Sequence, residues 1–75
     1  MAGERYYHFY LSIDRQELMR LYAGAAKRLR VRSVEGPMID LDANHLRSFT
    51  SYSGVNGNFR LVVTENNKFV RLERI

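Results

Sequence analysis

Apolar and polar residues alternate strictly over Tyr6–Ile13. One side of the alternation carries Tyr7, Phe9, Leu11 and Ile13, and the other side carries Tyr6, His8, Tyr10 and Ser12. A period of two along the chain predicts a β-strand that buries one of its faces. We therefore expect the first element to be a strand.

The period changes at Asp14 to that of a helix. Apolar residues then recur three and four positions apart, at Leu18, Leu21, Tyr22 and Ala25, with Ala25 either in the stripe or just past the helix end. Asp14 and Glu17 have the spacing of a capping box, in which the first residue caps the helix N-terminus. Gly24 can end the helix in the left-handed conformation. The pattern predicts one helix of about three turns.

The remainder of the sequence consists of short strand patterns separated by turns. Strand-like alternation recurs over residues 27–33, 38–41, 49–52, 59–63 and 68–75, and turn residues cluster at 35–37, 53–57 and 65–67. Within the second turn, Asn56 and Gly57 form a favoured type I′ pair. Asp42 predicts a short helical turn over 42–47, which it would cap.

This order of elements excludes a parallel α/β sheet, because parallel strands need repeated helical crossovers. We predict a single α+β domain over residues 1–75, with a small antiparallel, barrel-like sheet of five or six short strands and one helix after the first strand. The expected core residues are Phe9, Leu11, Ile13, Leu18, Leu21, Leu29, Val31, Leu41, Leu46, Phe49, Phe59, Leu61, Val63 and Leu72. The glycines expected to serve turns are Gly24, Gly36, Gly54 and Gly57.

Composition narrows the class of protein. Of the 75 residues, 45% are hydrophobic and 27% are charged, and none is cysteine. This balance excludes disorder, and the short length excludes a second domain and a large catalytic cleft. The lack of cysteine excludes disulfide and thiol chemistry. The segment Met1–Arg5 has no secretion-signal pattern and no apolar run could span a bilayer, so we expect a cytoplasmic protein without membrane contact.

Four short motifs carry a resemblance to a known family. They are Tyr22-Ala-Gly24, Leu46-Arg47-Ser-Phe49, Gly54-Val-Asn-Gly57-Asn-Phe59 and Asn67-Lys68-Phe69. In their order and spacing they resemble the short bacterial proteins of domain-of-unknown-function family 2835, over Tyr7–Ile75. That family often has proline where this chain has Asp42 and Ser48. The resemblance implies a bacterial, cytoplasmic, single-domain protein and brings no activity with it.

Arginine dominates the positive charge of the chain. Twelve Lys and Arg against eight Asp and Glu give a net charge of +4, and three arginines, Arg28, Arg30 and Arg32, alternate with apolar residues. On one face of a strand they would lie about 6–7 Å apart, close to the phosphate spacing of an extended single-stranded nucleic acid. Tyr6, His8 and Tyr10 could stack on bases beside them. A solvated outer strand face would show the same alternation.

Catalytic and metal chemistry have little support in the sequence. Asp40, Asp42 and His45 form a candidate cluster for a metal ion, but a capping role for Asp42 and a solvated Asp40 account for them. We therefore expect no catalytic residues, no metal, no cofactor and no small-molecule substrate. Some of Tyr6, Tyr10, Met19, Tyr52, Val62 and Phe69 must be exposed in so small a domain.

Exposed aromatic residues flanked by arginine are typical of interfaces. We expect a non-enzymatic module for interaction with another macromolecule, either an acidic protein partner or a second copy of this chain. The alternative is a single-stranded nucleic-acid-binding domain that uses Arg28, Arg30 and Arg32 with the adjacent aromatics. Its affinity would fall steeply with salt.

Overall fold

The computed structural model describes residues 3–25 and 27–75. The segment Met1–Arg5, expected not to be a secretion signal, lies partly outside this range. Along the described chain the elements are β1 (Glu4–Ile13), α1 (Arg15–Ala23), β2 (Arg28–Arg32), β3 (Met38–Asp42), a 3₁₀ helix (Ala43–Phe49), β4 (Val55–Thr64) and β5 (Phe69–Arg74). Neither helix of these residues is long and apolar enough to cross a membrane.

All strand pairings are antiparallel, which confirms the antiparallel α+β prediction. The strands form two sheets, a three-stranded sheet in the order β1–β4–β5 and the two-stranded hairpin β2–β3. In the larger sheet β1 pairs with β4 along its whole length, from Glu4 opposite Thr64 to Ile13 opposite Val55. The prediction of a single barrel-like sheet is wrong: the five strands do not close into a barrel, because β2 and β3 pair with each other and with no other strand of the described residues.

The two sheets and α1 share one core. Its buried residues include Phe9, Leu18, Leu41, Leu46 and Phe59, and every residue predicted for the core is either buried in this cluster or packed against it. Ile39 and Val55 are buried there as well, although they were not predicted. The inner faces of both sheets therefore point toward each other across the core.

The ends of α1 follow from local side-chain chemistry. Asp14 Oδ1 accepts a hydrogen bond from the backbone N–H of Glu17 at 2.8 Å, which confirms the predicted N-cap. The helix ends at Gly24 as expected, but this residue is extended, with φ −71° and ψ 155°, and not left-handed. Its N–H donates to the carbonyls of Arg20 and Leu21, so the last turn is closed without a left-handed residue.

The 3₁₀ helix is held against α1. Asp42 Oδ1 accepts from the backbone N–H of Asn44 at 2.9 Å, so the predicted cap is present. Tyr22 of α1 donates its hydroxyl to the carbonyl of Ala43 at 3.2 Å, and the guanidinium of Arg47 lies 4.6 Å above the Tyr22 ring. This contact fixes the 3₁₀ helix beside the end of β3.

Two local predictions after the 3₁₀ helix are wrong. Residues 49–52 do not form a strand, because the 3₁₀ helix runs to Phe49 and a turn closed by an isolated bridge between Ser51 and Gly54 follows. Gly57 is not in a turn: it lies inside β4 opposite Leu11. Its φ is +140°, and a Cβ there would lie 3.1 Å from the Arg74 guanidinium, which covers this part of the strand.

Gly54 is the turn glycine that the fold requires. Its φ is +108°, and a Cβ at this position would lie 2.1 Å from the carbonyl oxygen of Ile13. No side chain fits at that distance, so the close approach lets β4 start directly against the end of β1.

Val62 is buried on the outer face of the three-stranded sheet. Its exposed fraction is 0%, and it lies between Tyr6 of β1 and Arg71 of β5. A network of polar side chains covers it, formed by Glu4, Tyr6, Arg60, Arg71 and Glu73. Arg60 Nε lies 2.8 Å from Glu73 Oε1, and its guanidinium lies 5.7 Å from the centre of the Tyr6 ring. The hydrogen bond from Arg60 holds the pKa of Glu73 below its ordinary value.

Candidate functional site

The arginines predicted as binding residues lie on the outer face of the β2–β3 hairpin. Arg28, Arg30 and Arg32 are all exposed. Across the hairpin they face Asp42, Asp40 and Met38 in that order. Arg28 Nε donates to Asp40 Oδ1 at 2.9 Å. The face is therefore a row of arginines beside two carboxylates, and its positive charge is partly compensated.

The predicted aromatic residues lie on the other sheet. Tyr6, His8 and Tyr10 occupy the outer face of β1, on the side of the strand opposite Phe9 and Leu11. Since the inner faces of both sheets meet in the core, the core separates these residues from the arginines. The structure does not bring the two halves of the predicted nucleic-acid site to one surface.

His8 joins β1 to the turn of the β2–β3 hairpin. Its backbone N–H donates to Glu35 Oε1 at 2.8 Å, and its carbonyl accepts from the N–H of Val34 at 2.7 Å. Its ring atom Nδ1 lies 2.5 Å from Glu35 Oε2. The backbone hydrogen bond from His8 is the main reason that the pKa of Glu35 lies below its ordinary value. These contacts, the His8 clasp, block the middle of the β1 edge.

The outer edge of β3 has no cover of this kind, apart from the exposed Arg28 guanidinium, which donates to the Asp40 carbonyl at 3.4 Å. Two hydrogen bonds fix which residues of β3 bond to β2: the N–H of Ser33 donates to the carbonyl of Pro37 at the turn, and the N–H of Ala43 donates to the carbonyl of Lys27 at the far end. Between these two bonded pairs, hydrogen-bonded and non-bonded pairs alternate, as in any antiparallel ladder. Ile39 and Leu41 are therefore the residues of β3 that bond to β2. Met38, Asp40 and Asp42 consequently direct their backbone N–H and C=O groups away from β2. No strand of the described residues pairs with this edge.

A groove runs along this free edge, and we name it the β3 groove. Its first wall is the continuous segment Pro37–Asp42, and its second wall and floor are formed by Tyr7, Leu61, Val63, Asn67 and Phe69. Two cavities of about 280 and 290 Å³ compose it, and they share Asp40 and the floor residues Leu61 and Val63. The groove therefore follows the whole length of β3 and has an apolar floor.

Stacked rings mark the end of the β3 groove. His45 of the 3₁₀ helix lies parallel to Phe69 of β5, with ring centroids 3.7 Å apart. Beyond this stack a further cavity of about 380 Å³ extends between the 3₁₀ helix and β5. Three large apolar side chains on the rim of these cavities are exposed: Met38 by 53%, Phe69 by 43% and Val70 by 38%. They form an apolar rim along the edge.

The three residues considered for a metal ion have separate structural roles. Asp40 pairs with Arg28, Asp42 caps the 3₁₀ helix, and His45 stacks on Phe69. Over residues 3–25 and 27–75, no group of three or more His, Cys, Asp or Glu residues could hold a metal ion. What this region offers a ligand is backbone hydrogen bonding and apolar contact.

A family model described as "Protein of unknown function (DUF2835)" matches residues 5–75. The chain belongs to this family. The match confirms the resemblance that the turn glycines and aromatic anchors indicated. No curated protein and no solved structure matches the chain.

In this DUF2835 protein, the sequence pattern does not predict the β3 groove. It predicts a strand at Met38 and includes Phe69 among the residues of which some must be exposed, with no relation between the two. One signal was present: Pro37 precedes a strand in which Asp40 and Asp42 alternate with apolar residues. Charges on a short strand are typical of a sheet edge. Which surface faces that edge depends on strand pairing, which the pattern does not specify.

Proposed function

We propose that this protein is a non-enzymatic protein-interaction module and that the β3 groove is its binding site. One observation carries the proposal: an unpaired strand edge opens along its full length into a groove with an apolar floor. Unpaired edges bind other chains readily, and most proteins cover them or make them charged. Here the edge carries Asp40 and Asp42, yet no strand of residues 3–25 and 27–75 pairs with it, and it opens into a concave surface.

The rim of the groove supports the same proposal. Phe69 and Val70 expose apolar surface beside one cavity, and Met38 exposes apolar surface beside another. Exposed apolar side chains beside a groove are a mark of interaction sites. The outer face of the three-stranded sheet is a weaker candidate, because its charges are already paired with one another over Val62.

Site-specific photo-crosslinking in cells tests this proposal. Benzoylphenylalanine placed at Met38 or Phe69 should crosslink to a discrete protein, whose mass tells a foreign partner from a second copy of this chain. Tyr52 is the matched control, because it is 91% exposed and does not line the groove. Crosslinking at position 52 equal to that at 38 and 69, or none at 38 and 69, would contradict the proposal.

Single-stranded nucleic acid is the second candidate ligand, and one observation favours it. Arg28, Arg30 and Arg32 are exposed together on one strand face. Against it stand Asp40 and Asp42 on the neighbouring strand. Binding of labelled single-stranded RNA and DNA at two salt concentrations provides the test. Salt-sensitive binding that is lost in the triple Arg28→Ala, Arg30→Ala, Arg32→Ala variant would favour this candidate, and no binding at low salt would exclude it.

A further inference from the structure

We propose that the ligand of the β3 groove is an extended segment of a partner protein that adds as a third strand to the β2–β3 hairpin. Its residues alternate between apolar side chains, directed into the groove, and basic side chains, directed outward. This inference rests on the proposed function and adds the binding mode and the chemistry of the partner.

The backbone of β3 provides the first argument. Met38, Asp40 and Asp42 direct their N–H groups to the free side, where the groove lies. Of the carbonyls on that side, the one of Asp40 accepts a long hydrogen bond of 3.4 Å from the exposed Arg28 guanidinium, which an incoming strand would displace. Backbone groups on that side repeat every second residue, which matches the repeat of an extended chain. A segment of five residues would span about 17 Å and could bond along the whole edge. Main-chain bonding of this kind supplies affinity, and side-chain pockets supply selectivity.

The groove floor determines the inward side chains. Leu61 and Val63 of β4 and Tyr7 of β1 line it beside β3. Every second residue of an added strand would face this floor. Leu61 and Val63 are only 6% and 5% exposed, so aliphatic side chains at those positions would mainly cover the half-buried Tyr7 and fill the cavity.

The outer row of β3 determines the outward side chains. Directly opposite or diagonal neighbours on adjacent strands lie about 5–8 Å apart, so the outward residues of an added strand would lie beside Asp40 and Asp42. Arg28 donates to Asp40 at Oδ1 and at the backbone carbonyl, and Asn44 N–H donates to Asp42 at Oδ1, so one oxygen of each carboxylate has no such bond. Arg28 lines the same cavity as these carboxylates and pairs with Asp40, whereas no salt bridge of the described residues involves Asp42. Lysine or arginine is therefore favoured at the position beside Asp42, and glutamate is disfavoured there.

A second copy of this chain fits the edge poorly. Two β3 edges paired antiparallel about Asp40 would place the two Asp40 carboxylates opposite each other, which is a destabilising like-charge pair. The β2 strand has the required alternation of arginine and apolar residues, but Leu29 and Val31 pack against its own core. They are not free to enter the groove of another copy. The partner is accordingly a different protein.

Titration of the isotopically labelled full chain with end-capped seven-residue peptides tests the proposal by NMR. A peptide that alternates valine with lysine should shift the amide signals of Met38, Asp40 and Asp42. It should bind about tenfold more tightly than the matched valine–glutamate peptide. Tighter binding of the glutamate peptide, or shifts confined to Arg28, Arg30 and Arg32, would overturn the proposal.

Methylated peptides test strand addition itself. In an extended peptide the N–H groups of alternate residues point to opposite edges. Methylation of the backbone nitrogens of all lysine residues blocks one edge of the peptide, and methylation of the backbone nitrogens of all valine residues blocks the other. Only one of the two methylated peptides should therefore lose binding. Equal effects of the two patterns would overturn strand addition.

Two variants of Asp40 separate charge from backbone bonding. Asp40→Asn keeps the N–H and should reduce the preference for lysine over glutamate. Asp40→Pro also removes the N–H that faces the groove, and it should weaken the lysine peptide further than Asp40→Asn does. Equal binding by the two variants, each shown to be folded by its amide spectrum, would contradict main-chain pairing. If no peptide binds while positions 38 and 69 still crosslink to a protein, strand addition is wrong and the proposed function stands.

Discussion

The outer edges of β1 and β3 carry the same backbone groups but have different surroundings. Each strand directs the backbone groups of alternate residues away from its paired neighbour. At His8 the β1 edge is bonded to Val34 and Glu35, so the turn of the hairpin blocks it. At Asp40 the β3 edge faces a groove. One edge therefore joins the two sheets, while the other pairs with no strand of the described residues.

This difference teaches that exposure of side chains does not by itself identify a binding face. Tyr6 and Tyr10 on β1 are exposed aromatics, yet the surface around Tyr6 is occupied by a network of paired charges. The β3 groove has fewer exposed aromatic residues, but the N–H groups of Met38, Asp40 and Asp42 face it, and no strand of the described residues pairs with them. Unsatisfied bonding capacity in a concave surface is the stronger indication of binding.

The substitution with the largest expected effect destabilises the whole fold, and with it both strand edges. Gly54→Ala would place a Cβ 2.1 Å from the Ile13 carbonyl oxygen at a backbone φ of +108°. We expect a loss of about 3 kcal/mol or more of unfolding free energy, measured by chemical denaturation. Gly36→Ala is the control, because its φ is +119° but no atom lies within 4 Å of the added carbon. Its cost should be only about 1–2 kcal/mol, and equal costs would contradict the close-packing argument.

Proline substitutions compare the two edges directly. His8→Pro removes an N–H that binds Glu35, whereas Asp40→Pro removes an N–H that faces the groove. Proline is tolerated on an edge strand where its nitrogen faces outward. We expect Asp40→Pro to change the unfolding free energy by less than about 1 kcal/mol and His8→Pro to lower it clearly more. The reverse order in thermal melts would show that the β3 edge is covered.

Loss of the Glu35 carboxylate should loosen the clasp while the fold persists. In Glu35→Gln the charged acceptor of the His8 N–H becomes neutral, so the turn should separate from β1 more often. Hydrogen exchange at the amides of His8 and Val34 should become faster, while the amides of Ile39 and Leu41 should keep their rates. A uniform increase at all four amides would indicate global destabilisation instead.

Lowering the pH should produce the smallest and most gradual change in stability. The pKa values of Glu35 and Glu73 are lowered in the folded protein, so their contribution to stability is complete above the ordinary carboxyl value of 4.5. It is lost as the pH falls through the lower folded values. We expect melting temperatures to be flat near neutral pH and to fall below about pH 4.5, with a shallower fall in Glu35→Gln. An equally steep fall of the melting temperature in that variant would show that Glu35 does not contribute to the acid sensitivity.

Local features of the fold were predictable because their causes lie within a few residues. Asp14 caps α1, Asp42 caps the 3₁₀ helix, and the alternation along β1 identifies the buried Phe9 and Leu11. Each depends on hydrogen bonding or periodicity that the sequence displays directly. The family resemblance rested on the same turn and anchor residues.

Features that depend on distant pairing were not predictable in this way. Val62 lies at a position of β4 that the alternation assigns to the outer, solvent-facing side. It is buried because long side chains from the neighbouring strands β1 and β5 lie over it. Gly57 looks like a turn residue, and only the pairing with Leu11 and the Arg74 guanidinium give it a place inside β4. The β3 groove has the same origin, because it exists only once β4 and β5 lie opposite β3.

The pairing of β1 with β4 has a consequence for the synthesis of the chain. Glu4 pairs with Thr64, whereas the hairpin β2–β3 is formed by neighbouring residues. The ribosome adds about 5–20 residues each second, so β1 emerges seconds before its partner strand. During that interval the hairpin and α1 can form, while Phe9 and Leu11 stay exposed to water. The sequence separation between β1 and β4 should therefore limit the folding rate, and it leaves the apolar face of β1 uncovered in the unfinished chain.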